Sequence, residues 1–254
     1  MTALTGTLVE EPVSSGGVTR YELVDWATLF GVVAGVTGRS GGFDLGLGSQ
    51  DPMATVLERW RTLAGELGGR FRSVVVSRQV HGTALDTYGE LPSGLIVRDG
   101  LDGHLTSEAG VLLSISVADC IPVYLVEPRS GWLGLLHAGW RGVAAGIVET
   151  GVLRLAELAS VGVEDVVMHC GIGICGECYE VGPEVHHAVK GVELESPAAM
   201  DLRAELVARA RSLRLRRVSV SAHCTAHGGP AFYSHRASGG AAGRMVAYLG
   251  RPMP

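Results

Sequence analysis

Basic charge is scarce in this sequence. Its formal net charge is -5, and a dedicated nucleic-acid surface would normally carry a lysine and arginine excess. The one locally basic stretch, residues 203–217 with Arg209, Arg211, Arg214, Arg216 and Arg217, reads as a solvated helix end and turn. Long apolar runs are missing too. None reaches the roughly 20 residues of a membrane span, and Met1-Thr2-Ala3-Leu4 offers neither the basic nor the apolar part of a signal peptide. The five cysteines are an odd number in a large domain, so no disulfide framework is expected. A cytoplasmic protein with reduced thiols follows, and each cysteine becomes a candidate ligand or nucleophile. Linkers, dividing charge runs and internal repeats are absent, which favours one catalytic domain over residues 1–254. A chain of that length buries roughly 70–75% of its unfolded surface and needs no staples. No P-loop is present, and the Gly-x-Gly-x-x-Gly nucleotide fingerprint is not expected after a strand.

What the chain does have is glycine, 37 residues without a period, which points to many tight turns and close backbone approaches. Residues 49–69 read as a helix with Asp51 as N-cap, Pro52 in the first turn and Gly68-Gly69 as the stop. Its core face would be Val56, Leu57, Trp60, Leu63, Ala64 and Leu67. Strand-like runs cover 73–77, 111–117, 121–126, 132–137, 165–169, 218–222 and 245–249. Helical periodicity covers 141–159, and further helices are expected at 183–190 and 200–213. Strands outnumber helices and several follow one another directly, which indicates a mixed α+β fold rather than a βαβ alternation.

His81, Cys120 and His137 each sit at the end of a predicted strand, beside Gly, Asp or Gly. Strand ends project side chains into the loop layer, where sites are usually built. Two imidazoles and a thiolate leave a tetrahedral zinc with one position open, the catalytic pattern, and a water there would have a pKa near 7. The competing explanation is that the histidines are caps or core residues and Cys120 a small buried hydrophobe. No short metal-binding spacing joins the three.

The blocks Arg78-Gln79-Val80-His81-Gly82, Ala118-Asp119-Cys120-Ile121-Pro122-Val123 and His137-Ala138-Gly139-Trp140-Arg141-Gly142 resemble the laccase-domain family. Asp102-Gly103-His104-Leu105-Thr106, Cys178-Tyr179-Glu180-Val181-Gly182, Cys224-Thr225, Phe232-Tyr233-Ser234-His235-Arg236 and Gly243-Arg244-Met245 continue the likeness, in family order, over about residues 35–245. Its bacterial members are described as polyphenol oxidases or as purine nucleoside phosphorylases with adenosine deaminase activity. The resemblance implies a single-domain layered α/β/β/α sandwich of mixed sheets. It further implies zinc, or copper, on His81, Cys120 and His137. Departures occur at Asp44, Glu58, Gly171-Ile172-Gly173-Ile174 and Glu177, where the family often has other residues, and they bear on substrate preference.

Around this centre, Cys120, His137 and Asp119 are the candidate catalytic residues. Asp119 is read either as a carboxylate behind a metal-bound histidine or as a partner of loop amides. Arg39, Arg78, Arg141 and Arg236 are the candidate cations for phosphate, which suits a guanidinium fork. Arg141, at the start of a predicted helix, is the leading anion residue. Tyr179 is either a core aromatic or a stacking partner for a base. The expected substrates are purine nucleosides (adenosine, inosine, methylthioadenosine) and phosphate, with no nucleic acid or membrane partner, for a monomer or weak homo-oligomer.

Two other enzymes are weighed. A copper polyphenol oxidase of the ordinary laccase kind would be expected to use paired His-x-His ligands, and among nine histidines there is no His-x-His. An amidase editing cell-wall precursors would use Cys120 as nucleophile with a histidine base. Finally, Cys175-Gly176-Glu177-Cys178, with Cys170 nearby, invites a second zinc or a redox pair besides plain structural thiols. His169 or His186 are the further ligands such a zinc would need.

Overall fold

A computed structural model describes residues 5–67 and 69–254. The expectations placed on Met1 to Leu4 and on Gly68 therefore lie outside the described residues. One mixed sheet runs, in spatial order, Gly6–Leu8 (β1), Arg217–Ser221 (β15), Val167–Cys170 (β12), Ile121–Val126 (β10), Leu133–Ala138 (β11), Gly103–Thr106 (β8) and Leu85–Tyr88 (β6). The second runs Glu11–Ser15 (β2), Val18–Glu22 (β3), Val33–Thr37 (β4), Met245–Gly250 (β16), Val111–Val117 (β9), Ser73–Arg78 (β5) and Gly94–Asp99 (β7). A two-stranded ladder joins Glu180–Val181 (β13) to Ala198–Ala199 (β14).

The two sheets stack face to face, and the period-2 alternation of the strands sorts side chains between three apolar layers. Tyr124 and Val126 of β10 meet Leu113, Ile115, Ala247 and Leu249 between the sheets. Val123 and Leu125, pointing the other way, pack under the helices Trp140–Ala145 (α3), Ile147–Ala159 (α4), Pro183–Lys190 (α5) and Leu202–Ser212 (α6) through Val143, Ile147, Val152, Val185 and Leu206. On the far side, Val74, Val76, Val246 and Tyr248 receive Val56, Trp60, Leu63 and Leu67 from and just beyond Met53–Glu66 (α2). A short helix, Val24–Phe30 (α1), buries Trp26 between the sheets. The layers are thus α/β/β/α, as the sequence resemblance implies. Because β10 and β11 are covered on both faces, every residue of both strands is buried. That is why they read as continuous apolar runs rather than alternating ones. Among the described residues, no helix is long and apolar enough to cross a membrane.

Some boundaries differ from the sequence expectation for identifiable reasons. Helix α2 starts after Pro52 with no side-chain cap, and Asp51 instead pairs with Arg59 at 2.6 Å. The periodic stretch 141–159 is two helices, because Gly146 adopts φ 89°, which ends one and begins the next. In the basic stretch, Arg211, Arg214 and Arg216 are exposed as expected. Arg203 is buried and donates to the carbonyls of Ser221 and His223 at 2.6 and 2.9 Å. The string Gly171-Ile172-Gly173-Ile174-Cys175-Gly176 does match Gly-x-Gly-x-x-Gly and does follow strand β12, against expectation. It opens only a three-residue 3-10 turn, Gly176–Cys178, rather than a helix. Its glycines answer to packing, since a Cβ at Gly171 would lie 2.6 Å from the Tyr124 ring and one at Gly173 would lie 2.4 Å from Ile121. Without a helix N-terminus there is no cradle for a pyrophosphate.

Candidate metal centre and active site

The three residues singled out at strand ends do converge. One donor atom each from His81, Cys120 and His137 lies within 4.8 Å of the others, and the two imidazoles meet edge to face with centroids 4.8 Å apart. His137 is the penultimate residue of β11, opposite Pro122 of β10. Cys120 immediately precedes β10, so the two come from adjacent antiparallel strands. His81 arrives from the other sheet, three residues after β5 ends.

The loop that brings His81 in is held by Gln79 and Asp102. The Gln79 amide donates to Ser116 O at 2.9 Å and accepts from Ser116 N at 2.8 Å, clamping the loop to β9. Buried Asp102 accepts the backbone N–H groups of Val80, His81 and Gly82 at 3.1, 3.0 and 2.8 Å. Both His81 (φ 61°) and Asp119 (φ 84°) sit in the left-handed region. That costs a non-glycine residue on the order of 1 kcal/mol or more and is tolerated where surroundings over-determine it.

The same Asp102 carboxylate meets His137 Nδ1 at 2.8 Å. With Nδ1 committed there, Nε2 is the nitrogen turned toward Cys120 and His81. A carboxylate behind a ligating imidazole fixes its tautomer and raises its basicity. Burial alone would push the Asp102 carboxyl up, but His137 and the backbone N–H groups hold it below its ordinary value. For the Cys120 thiol, burial likewise opposes ionisation, yet His137 and His81 draw it down to about 6. Burial would lower His137, and the Cys120 thiolate and Asp102 together raise it to about 9. Thiolate and imidazolium thus stabilise one another before any metal is considered.

The donor set fits a divalent metal. Gly139 adds steric evidence: a Cβ there would stand 2.9 Å from the His81 ring and 3.0 Å from Cys120 Sγ. Its φ of -83° needs no glycine, so the residue is small because the ligands occupy the space a side chain would take. The three donors lie on the wall of a cavity of about 790 Å³ that Arg78, Gln79, His235 and Arg244 also line.

The other sequence candidates are distributed around this centre. Asp119 is placed differently from its reading as a histidine partner. It accepts from Thr225 Oγ1 at 2.5 Å and from Arg236 N at 2.6 Å, and so ties two loops together beside Cys120. Arg78 lines the cavity and pairs with Asp99 at 2.7 Å. Tyr179 lies under the Arg236 guanidinium, 5.1 Å from it. Burial, followed by the Cys120 charge, pushes its phenol up to about 12. Arg141 stacks on the Trp140 ring at 4.3 Å. It does not pair with Asp119 or Asp102, whose carboxylates are engaged elsewhere. Arg39 stacks on Tyr233 at 5.3 Å, and of the sequence candidates for substrate only Arg78 lines the cavity: Arg39, Arg141, Tyr179 and Arg236 are not among its lining residues. Sequence reasoning passed over Asp102, Gln79 and Arg244 as site residues. All three stood in segments that carry the family resemblance.

Comparison with known proteins agrees with this architecture. The family model for multi-copper polyphenol oxidoreductase laccase matches residues 30–252. A relative named purine nucleoside phosphorylase YlmD, from Geobacillus stearothermophilus, is 33% identical over 248 residues, covering 87% of this chain and 90% of its own. Another, from an unknown prokaryotic organism and named adenosine deaminase RL5, is 29% identical over 220 residues, 79% of this chain and 84% of its own. The crystal structure of YlmD from Geobacillus stearothermophilus superposes with a TM-score of 0.85 at 29% identity, covering 96% of this chain and all of that one. With a family model spanning most of its length and a shared four-layer fold, the chain belongs to the multi-copper polyphenol oxidoreductase laccase family.

Proposed function

We propose that this single catalytic domain is a cytoplasmic, zinc-dependent purine nucleoside phosphorylase that also deaminates adenosine. Its substrates would be adenosine, inosine and methylthioadenosine, with phosphate as the second reactant. The observation that carries the reading is a three-donor centre, His81, Cys120 and His137, on the wall of a cavity large enough for a nucleoside and an anion. Three protein donors leave a fourth position open, as catalytic zinc sites do. When bound there, zinc supplies a Lewis acid and lowers the pKa of a coordinated water. Relatives named purine nucleoside phosphorylase and adenosine deaminase support the substrate class.

The chain's own residues divide the remaining work. Arg78 lines the cavity with its guanidinium on Asp99, and that guanidinium would hold phosphate against the sugar. Tyr179, under Arg236 and close enough to feel the Cys120 charge, lies outside the lining of that cavity, and it would stack a purine only where the base extends past Cys120 toward it. Asp102 keeps His137 in one tautomer. The test is incubation with adenosine, with and without phosphate, followed by product analysis. Adenine and ribose 1-phosphate should form only with phosphate, and inosine should form without it. Phenol oxidation with oxygen uptake and no nucleoside turnover would overturn the reading in favour of a copper oxidase.

One observation favours a second reading. Cys120, His137 and Asp102 form a thiolate–imidazolium–carboxylate series, with the thiol drawn down to about 6, which is also the arrangement of a cysteine nucleophile. A Cys120 that remains rapidly alkylated in the metal-loaded protein would favour this amidase chemistry. Protection by zinc would exclude it.

A further inference from the structure

A second cluster of metal-binding side chains lies at the ends of two neighbouring strands in the first sheet. Strands β12 and β15 are parallel and in register to Cys170 and Val220, so the chain leaves both on the same side. The ladder continues past the strands through a parallel bridge between Gly173 and Cys224, with Thr225 N donating to Gly173 O at 3.0 Å. Two residues on, Cys175 N donates to Cys224 Sγ at 3.3 Å. The 3-10 turn over Gly176–Cys178, closed by Cys178 N on Cys175 O at 3.2 Å, folds Cys178 back beside Cys175. From the other loop, His227 turns Nδ1 toward both sulfurs, 3.2 Å from Cys178 Sγ and 3.6 Å from Cys175 Sγ. Donor atoms of Cys175, Cys178, Cys224 and His227 all lie within 4.8 Å of one another.

We propose that Cys175, Cys178, Cys224 and His227 bind a second zinc ion, a closed structural site distinct from the centre at His81, Cys120 and His137. Tetrahedral zinc with bonds of about 2.3 Å to sulfur and about 2.0 Å to nitrogen separates a sulfur from a nitrogen by roughly 3.5 Å and two sulfurs by roughly 3.8 Å. The sulfur–nitrogen separations of 3.2 and 3.6 Å lie on either side of the first distance. A disulfide or redox pair would need only two sulfurs, whereas here three thiols and an imidazole face one point. The set also reads as two short chelating turns, Cys175-x-x-Cys178 and Cys224-x-x-His227. The N–H bond from Cys175 to Cys224 Sγ is the kind of backbone donor that stabilises a thiolate ligand.

Two of the ligands, Cys175 and Cys178, are those the sequence invites, and the other two are not. Cys170 is fully buried in β12. His169 is engaged by Ser219 and Glu10. His186 Nε2 sits 3.1 Å from Ala198 O. None of the three belongs to the cluster.

Four protein donors leave no open position, so the ion's role is to staple. It joins the loop that carries Tyr179 to the loop that carries Thr225, whose hydroxyl bonds Asp119 beside Cys120. The second site thus fixes one flank of the first without touching substrate.

Metal analysis of the purified full chain tests this. The parent protein should hold two equivalents of zinc. Cys120→Ser should retain one. The double variant C175S/C178S, and separately the exposed-ligand variant His227→Ala, should drop from two equivalents to one while keeping the zinc of the other centre. Cobalt substituted into Cys120→Ser should show intense thiolate charge-transfer absorption with tetrahedral d–d bands, lost on adding H227A. One equivalent in the parent that disappears in Cys120→Ser would overturn the proposal. So would a Cys175–Cys178 disulfide in protein purified under nitrogen, detected as a mass loss of about 2 Da. One equivalent retained in Cys120→Ser but lost in C175S/C178S would support the second site and sink the first, so the two readings fail separately.

Discussion

Asp102→Asn is the most revealing change at the metal centre, because it keeps shape and volume while removing a charge and two acceptor sites. In the parent, Oδ1 faces His137 Nδ1 and His81 N, and Oδ2 faces Val80 N and Gly82 N. All four contacts are N–H groups directed at the carboxylate. An amide turned either way must point its own NH2 at two of them. If the NH2 takes the Oδ2 side, His137 keeps a neutral acceptor and two loop amides lose theirs. If it takes the Oδ1 side, His137 is free to flip its tautomer and present the wrong nitrogen. Removing the carboxylate behind a ligating histidine weakens metal binding by about 10–100-fold, or roughly 1.4–2.7 kcal/mol. Each buried donor left unpaired adds about 1–3 kcal/mol of destabilisation. Zinc affinity would be measured by competition with a chromogenic chelator at fixed pH, and the metal-free protein would be melted separately to isolate the loop term. Asp119→Asn is the control. That carboxylate is adjacent to Cys120 in the chain but bonds Thr225 and Arg236, so zinc affinity should stay within a few-fold of the parent. An Asp102→Asn affinity within twofold of the parent, or an equal loss in Asp119→Asn, would refute the assignment of Asp102 as the group that orients His137.

Gly139→Ala should cost zinc affinity at least as much as Asp102→Asn while leaving the backbone unstrained, because the new methyl would stand about 3 Å from both His81 and Cys120. Full zinc occupancy in that variant by metal analysis would show the ligands are not where the geometry puts them. Buried His104, between Ser77 Oγ at 3.2 Å and Tyr88 OH at 2.9 Å, has its pKa lowered by desolvation to about 4 from 6.5. The unfolded chain therefore takes up this proton first, and stability is lost as pH falls from 6.5 toward 4, by roughly 3 kcal/mol from this residue. Urea unfolding of His104→Gln should show that acid slope flattened, and an unchanged slope would remove His104 as its cause. Arg78→Gln should raise the phosphate KM about tenfold or more and leave phosphate-independent deamination near its parent rate. Arg39→Gln, on Tyr233, should change neither, and equal losses in both reactions would assign Arg78 to structure.

How much of this was legible from the sequence depends on whether a feature is local. The apolar runs at β9, β10 and β11 mark buried strands because a sheet covered on both faces leaves no solvent side. The helix Pro183–Lys190 is bounded by proline at its start and a left-handed Gly191 after its end, and both signals act within one turn. Before residue 49 the buried, apolar strand Val33–Thr37 was readable and was missed, whereas the first two strands are short and largely exposed. Glu11–Ser15 is mostly exposed, and an edge strand with one neighbour has no reason to be apolar. Likewise, Gly146 lies inside a helical apolar period, and periodicity alone does not separate a bent pair of helices from one long helix.

The same distinction explains the sites. His81, Cys120 and His137 were found because each ligand is punctuated by a strand end and its block resembles a family motif. Asp102 stands in a block that resembles the family too, but nothing local to that block says what its carboxylate holds. Its role exists only because β8 pairs with β11, which puts the carboxylate at the residue just before β8 beside His137, and because the His81 loop then closes over it from the other sheet. Of the two readings of Asp119, histidine partner or acceptor of loop amides, the structure agrees with the second: a left-handed backbone at that residue turns its carboxylate toward Thr225 Oγ1 and Arg236 N. Cys224 and His227 were not read as ligands for the reverse reason. Their spacing is local and readable, but its partner, Cys175-x-x-Cys178, is brought to it only by the parallel pairing of β12 and β15. A ligand set split between two loops is therefore visible in sequence only as two half-motifs. The pairing of the strands that carry them is the information the sequence reading lacked; the first centre differs, its three ligands arriving singly from three segments and two sheets.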